Sequence, residues 1–174
     1  MTDQATIASL IRDVPDFPKQ GIVFKDITPL LSDAAGLRAA IGAMTDPYRD
    51  AGITKIAAAE ARGFLFGVAM AIELGIGFVP VRKPGKLPSA THEATYELEY
   101  GTDTVQLHQD AVGADDRVLL IDDLLATGGT MAACIDLVRR TGADVVGCSF
   151  LIDLTFLDGR SRLGDVRVET VLSY

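Results

Sequence analysis

Apolar positions along the chain change rhythm several times, and each rhythm predicts a kind of element. Over residues 4–12, Ile7, Leu10 and Ile11 fall at the spacing of a short amphipathic helix. The turn-forming stretch Pro15–Gly21 follows, then a short extended piece from Ile22 to Ile27. Ser32 and Asp33 read as the start of a helix reaching about Asp50, with Leu37, Ala40, Ile41 and Met44 facing inward. From there the pattern alternates. Lys55–Ala59 predicts a buried strand, Gly63–Leu74 a helix and Gly77–Arg82 another strand. Arg117–Asp122 is the strongest strand, because Val118, Leu119, Leu120 and Ile121 form the unbroken apolar run of a strand covered on both faces. Thr130–Arg140 predicts a helix and Asp144–Asp153 a further strand. Strand–helix–strand alternation implies right-handed crossovers and a parallel sheet, so the expected class is α/β.

Two segments break the alternation. Pro84–Glu93, with two prolines, a glycine, a serine and a threonine, predicts a long loop. Tyr96–Tyr100 and Thr104–His108 alternate around Gly101–Asp103 and predict an antiparallel hairpin. An insertion of this length between parallel strands is usually functional. No repeat, low-complexity tract or linker interrupts the 174 residues, which predicts a single domain over 1–174.

Composition narrows the function classes. A net charge of −8 argues against a nucleic-acid backbone as the main partner, so an anionic ligand would need a local site. Cys134 and Cys148 lie in apolar surroundings and read as small buried residues of a reduced, cytoplasmic protein. No metal-ligand spacing surrounds them or His92 and His108. The longest apolar stretch, Gly63 to Ile72, is well short of the ~20 residues a membrane span needs, and the N-terminus lacks the layout of a signal peptide. A soluble protein without membrane partners is expected.

The chemistry concentrates in Val118-Leu-Leu-Ile-Asp-Asp-Leu-Leu-Ala-Thr-Gly-Gly-Thr130. A buried strand ends in Asp122 and Asp123, and a turn of small residues then opens a helix. Ligands of open parallel sheets bind outside the carboxyl ends of the strands. Gly128 and Gly129 let backbone approach a ligand, and the free N–H groups of a helix start favour a phosphate dianion. Thr127 and Thr130 add hydroxyl donors. This is no Walker loop, since the G-x-x-x-x-G-K-[ST] spacing is missing. Two carboxylates beside a phosphate cradle repel the phosphate unless something demands them. Ribose hydroxyls are such a demand, and the acids would also offset positive charge developing on a sugar ring.

This run resembles the motif by which type I phosphoribosyltransferases bind phosphoribosyl pyrophosphate (PRPP). The spelling Asp122-Asp-Leu-Leu-Ala-Thr-Gly-Gly-Thr130 is similar to the adenine branch of that family. The likeness covers roughly Val14 to Leu157. It includes Phe17–Pro29, Ala61-Arg-Gly-Phe-Leu-Phe-Gly67, Arg82-Lys-Pro-Gly-Lys-Leu-Pro88 and Tyr96-Glu-Leu-Glu-Tyr-Gly101. The resemblance implies the type I fold, a small hood mainly from residues 1–30 and a closing loop and hairpin at about 84–108. It implies transfer of the 5-phosphoribosyl group from PRPP to adenine, giving AMP and pyrophosphate in purine salvage. Ala126, Thr127, Gly128, Gly129 and Thr130 would hold the 5-phosphate, and Asp122 and Asp123 would serve the sugar. Ala61, Arg62, Arg82, Lys83 and Lys86 would contact pyrophosphate, with Ala61 standing where many relatives have serine. Phe24 would stack on adenine, the backbone of Val23 and Lys25 would read its edge, and Leu154 would close the other side. Glu97 and Glu99 share one face of the hairpin; the resemblance selects Glu99 to handle the base's proton. Magnesium would be held mainly through PRPP and water, and a homodimer is expected. The alternatives are a transferase for hypoxanthine, xanthine or orotate, or a non-catalytic sensor of PRPP.

Overall fold

A computed structural model of the chain describes residues 3–97 and 101–174. It divides into two compact units, Met1–Ala43 and Met44–Tyr174.

In the first unit, α1 (Asp3–Ser9) buries Ile7. Strands β1 (Arg12–Pro15) and β2 (Val23–Asp26) pair antiparallel, with Val14 opposite Phe24. Opposed charges fasten this ribbon: Arg12 Nη2 lies 2.5 Å from Asp26 Oδ2, and Lys25 Nζ lies 2.6 Å from Asp13 Oδ1. Asp26 also accepts the Thr28 N–H at 2.9 Å, which starts α2 (Thr28–Ser32). That bond, then Arg12, lowers the Asp26 carboxyl to about 2.

The single helix expected from Ser32 to about Asp50 is three pieces: α2, α3 (Ala34–Thr45) and a 3-10 turn, Asp46–Tyr48. Asp33 causes the first break. Its backbone is extended (φ −98°, ψ 113°), and its carboxylate accepts the Gly36 N–H at 2.7 Å, capping a fresh start. Pro47, which has no N–H to continue an α-helical ladder, lies in the first turn of the 3-10 piece.

The second unit contains β3 (Lys55–Ala59), α4 (Gly63–Leu74), β4 (Gly77–Val81), β5 (Thr91–Glu97), β6 (Thr102–His108), β7 (Arg117–Leu125), α5 (Gly129–Arg140), β8 (Asp144–Asp153) and β9 (Val168–Ser173). Five strands form one parallel sheet in the order β4-β3-β7-β8-β9. From the central β3/β7 pair, β3–α4–β4 steps one way and β7–α5–β8 the other. Right-handed crossovers in opposite directions place α4 and α5 on opposite faces. A switch point therefore opens at the carboxyl ends of β3 and β7.

Three expectations are corrected. β7 runs to Leu125 rather than ending at Asp122, because pairing with β8 continues through Leu124↔Ile152 and Leu125↔Asp153. The hairpin begins at Thr91 rather than Tyr96, with Thr91 opposite His108 and Glu97 opposite Thr102. It starts early because Ala94, Val105 and Leu107 are buried in the same core cluster as Met131, Cys134 and Leu137 of α5. The loop thus shrinks to residues 83–90. Finally, β9 was not anticipated: Glu169, Thr170 and Ser173 interrupt its apolar residues, and only Leu172 is buried. Among the described residues, no helix is long and apolar enough to cross a membrane.

Candidate active site

Residues Glu60–Arg62 connect the end of β3 to α4. The helix starts hard against β7: a Cβ on Gly63 would stand 2.8 Å from Asp122 Oδ1 and 3.1 Å from the Ile121 carbonyl oxygen. Only a residue without a side chain fits there. This close approach brings Arg62 beside the acids, and its Nε lies 2.7 Å from Asp123 Oδ2. Asp123 is buried, so its charge is met locally by that guanidinium. Asp122 accepts the Asp123 N–H at 2.9 Å. Burial, and then the neighbouring Asp123, pushes the Asp122 carboxyl well above the ordinary carboxylate range. The two acids thus differ in surroundings: Asp122 is enclosed beside a second acid, and Asp123 is ion-paired with Arg62.

Beyond Leu125 the chain turns through Ala126–Gly128 into α5. Gly128 sits in the left-handed region (φ +80°) as the residue capping the helix. The first-turn N–H groups of α5 have no acceptor within the helix. With the hydroxyls of Thr127 and Thr130 they make a cradle suited to an oxyanion. A pocket of about 80 Å³ covers this turn, lined by Asp122, Leu124 to Met131 and Phe150. A larger cleft of about 430 Å³ adjoins it, lined by Glu60, Ala61, Arg62, Lys83, Asp122, Asp123, Leu124 and Thr130. Asp122, Leu124 and Thr130 line both.

Most of the expected second-unit residues therefore converge. Arg82 and Lys86 do not line these cavities. The Arg82 guanidinium faces Glu60 at 3.4 Å and lies over the Phe64 ring at 5.9 Å, while Lys86 is exposed in the loop. Leu154 follows β8 and donates its N–H to the Leu125 carbonyl at 3.0 Å. Val23, Phe24 and Lys25 belong to β2 in the first unit, where Phe24 is half-buried and meets Phe17 edge-on at 5.2 Å. Glu99 lies outside the described residues.

Sequence reasoning missed Glu60, Tyr96 and Asp103. Glu60 accepts the Lys83 N–H as well as facing Arg82. Burial opposes its ionisation, but these two partners outweigh it and hold the carboxyl below its usual range. Its position directly after a predicted strand was a usable signal. The Tyr96 hydroxyl accepts from Thr130 Oγ1 at 3.0 Å and from Lys83 Nζ at 3.1 Å, and donates to Asp103 Oδ2 at 3.1 Å. Asp103 also pairs with Lys83. Burial lowers the Lys83 ammonium's pKa, yet Asp103 and Tyr96 more than reverse this. The Tyr96–Asp103 contact follows from their being cross-strand partners, a register hidden by an expected turn over Gly101–Asp103.

The family model for the phosphoribosyl transferase domain matches residues 28–171. The chain belongs to the phosphoribosyltransferase family and has its type I fold, a central parallel sheet flanked by helices. An adenine phosphoribosyltransferase of Solidesulfovibrio magneticus is 55% identical over 166 residues, covering 95% of this chain and 97% of the relative. The crystal structure of the adenine phosphoribosyltransferase of Thermoanaerobacter pseudethanolicus matches with a TM-score of 0.95 at 50% identity, covering 98% of this chain and 99% of that one. The Saccharomyces cerevisiae enzyme, crystallised with an imino-altritol bisphosphate and adenine, matches with a TM-score of 0.93 at 38% identity over 98% of this chain and 99% of that one. Within the family, the chain is a member of the adenine phosphoribosyltransferases.

Proposed function

We propose that the chain transfers the 5-phosphoribosyl group of PRPP to adenine, giving AMP and pyrophosphate. One observation carries the reading. Asp122 and Asp123 line one cleft with the cations Arg62 and Lys83 and with Thr130 of the helix-start oxyanion cradle, and Asp123 is ion-paired with Arg62. The 5-phosphate occupies the turn Ala126–Thr130, and pyrophosphate takes the side of Ala61, Arg62 and Lys83. Arg82 orders Glu60 behind that side, and the exposed Lys86 supplies longer-range charge. Between them the ribose hydroxyls meet Asp122 and Asp123. As the bond from the anomeric carbon to pyrophosphate breaks, its electron pair leaves with pyrophosphate. The ring becomes oxocarbenium-like, and the acids favour that charge. The N9 lone pair of adenine then forms the new bond, and the base's imidazole proton passes to Glu99.

Magnesium fits this donor set as an ion carried on PRPP, because two carboxylates, one already paired with Arg62, leave most of its coordination to substrate oxygens and water. When bound, it would offset negative charge on the leaving pyrophosphate. For the base, Phe24 offers a half-buried ring beside the exposed apolar side chains of Phe17 and Val23, with the backbone of Val23 and Lys25 for its edge. The loop and hairpin would exclude water, whose attack would destroy PRPP. A homodimer is supported by the apolar stripe that α4 exposes, Leu65, Val68 and Ile72. The buried thiols of Cys134 and Cys148 suit a reducing, cytoplasmic setting.

The test is turnover of PRPP with adenine, hypoxanthine, xanthine and orotate in separate assays. Adenine should be consumed far faster than the others. Preference for another base, or PRPP binding without turnover, would overturn the reading. In the same assay Glu99→Gln should lose ~10²–10⁴-fold of the rate, as general acid–base groups do, and Glu97→Gln should stay near wild type.

A further inference from the structure

The turn that opens α5 is held from behind by a second stretch of backbone. Gly159 begins the 3-10 turn Gly159–Leu163 and is buried. A Cβ on Gly159 would stand 2.1 Å from the Ala126 carbonyl oxygen and 3.1 Å from the Gly128 nitrogen. Conversely, a Cβ on Gly128 would stand 2.3 Å from the Gly159 carbonyl oxygen. The two segments meet backbone to backbone, and neither glycine tolerates a side chain.

The next residue anchors this support. Arg160 Nε donates to Asp153 Oδ2 at 2.6 Å, Nη1 to the Val168 carbonyl at 3.3 Å and Nη2 to Thr170 Oγ1 at 2.8 Å. Asp153 is only 1% exposed, and its Oδ1 has no hydrogen-bond partner among the described residues. Arg160 is therefore the ion-pair partner that holds this carboxylate in place. Asp153 ends β8 in register with Leu125, the last residue of β7, from which the α5 turn departs. The pair thus fixes the 3-10 turn to the sheet at the root of the cradle.

We propose that Gly159 and Arg160 are positioning residues for the phosphate cradle, holding the Ala126–Gly129 backbone in its anion-binding conformation before substrate arrives. The proposal rests on the reading of that turn as the 5-phosphate site. Neither residue needs to touch substrate. Arg160 acts through Asp153 and Gly159, and Gly159 acts through Ala126 and Gly128. Losing one backbone hydrogen bond to a phosphate costs about 10–10²-fold in affinity, so a Cβ forced into this contact should be felt at the phosphate and not at the pyrophosphate side.

The experiment titrates the full-length protein separately with ribose 5-phosphate and with pyrophosphate by calorimetry, for wild type, Gly159→Ala, Arg160→Gln and Arg160→Lys. Thermal melts and the KM for PRPP accompany each. Expected is a loss of about 10–10²-fold in ribose 5-phosphate affinity for Gly159→Ala, with pyrophosphate affinity unchanged. Arg160→Gln should lose less in the same direction, and Arg160→Lys should recover part of it. If Gly159→Ala does not fold, Arg160→Gln with its lysine rescue carries the test. Equal losses for both ligands in step with melting temperature, or no loss for either ligand, would overturn the buttress. Backbone amide shifts of wild type with ribose 5-phosphate separate the two readings. Shifts at Ala126–Thr130 with undiminished binding by the variants sink only the buttress; shifts confined elsewhere sink the cradle and the buttress with it.

Discussion

Asp122 and Asp123 are neighbours in one strand, yet surroundings set their characters apart. Asp123 faces Arg62, while Asp122 is enclosed and lies beside a second acid. Burial first, and Asp123 second, raise the Asp122 carboxyl above an ordinary value near 3.8. The folded protein therefore keeps a proton that the unfolded chain releases. Stability should fall as pH rises from about 3.8 through the raised folded value, since ionisation there favours the unfolded chain. Asp122→Asn abolishes that titration and keeps an acceptor for the Asp123 N–H. Its melting temperature should exceed that of wild type at pH 7 by about 2–4 °C for each kcal/mol regained, and the gap should close near pH 4. Turnover of the same variant should fall sharply. Melting curves from pH 4 to 8 check this, and a gap that does not vary with pH would refute it. The site would then illustrate a functional acid kept at a cost in stability.

At the scale of elements, the decisive contact is between the start of α4 and the late part of β7. Gly63 is pressed onto Asp122 and Ile121, and the neighbours that an added methyl would meet include backbone atoms that cannot rotate away. Gly63→Ala should cost about 1–3 kcal/mol of stability through overpacking. It should harm catalysis more than folding, because the atom met first, at 2.8 Å, is Asp122 Oδ1. A fall in kcat/KM on the order of 10²-fold, with a melting temperature lowered by only several degrees, is the expected pair of measurements. Unchanged values in both would mean that the helix start has room to move. The hairpin makes a comparable contact on the other side of the cleft. Through Tyr96 it bonds Thr130 at the start of α5 and Lys83 after β4, so the insertion is tied to both flanks of the cleft.

For the molecule as a whole, a net charge of −8 leaves no general attraction for an anionic substrate. The sheet's switch point resolves this by gathering Arg62, Lys83 and a helix start into one cleft, where local charge and aligned N–H groups act at short range. The outer face of α4 has a different task under the proposed dimer. Leu65, Val68 and Ile72 are 50%, 40% and 77% exposed and share one helical face, which a second copy of the chain would cover. Light scattering should give wild type twice the 18.5 kDa chain mass, and the double variant Leu65→Asp/Ile72→Asp should run as a single chain. A wild-type protein of 18.5 kDa at micromolar concentration would end the dimer proposal.

What the sequence determined by itself was local or periodic. β3, α4 and β8 occupy the residues that their apolar runs predict, because each run is continuous and bounded by polar or turn residues. The paired acids and the glycine turn were legible for the same reason, being contiguous. Cys134 and Cys148 are buried, as their apolar surroundings implied. Tertiary structure decided the rest. Pairing with β8 carried β7 on to Leu125, and burial of Ala94 against the core of α5 made strand from expected loop. An edge position made β9 a strand without an apolar run. The contacts Gly63–Asp122, Tyr96–Thr130 and Gly128–Gly159 join residues 59, 34 and 31 positions apart. No pattern read over a window of a dozen residues contains them, because they exist only once the sheet has set the strand ends side by side.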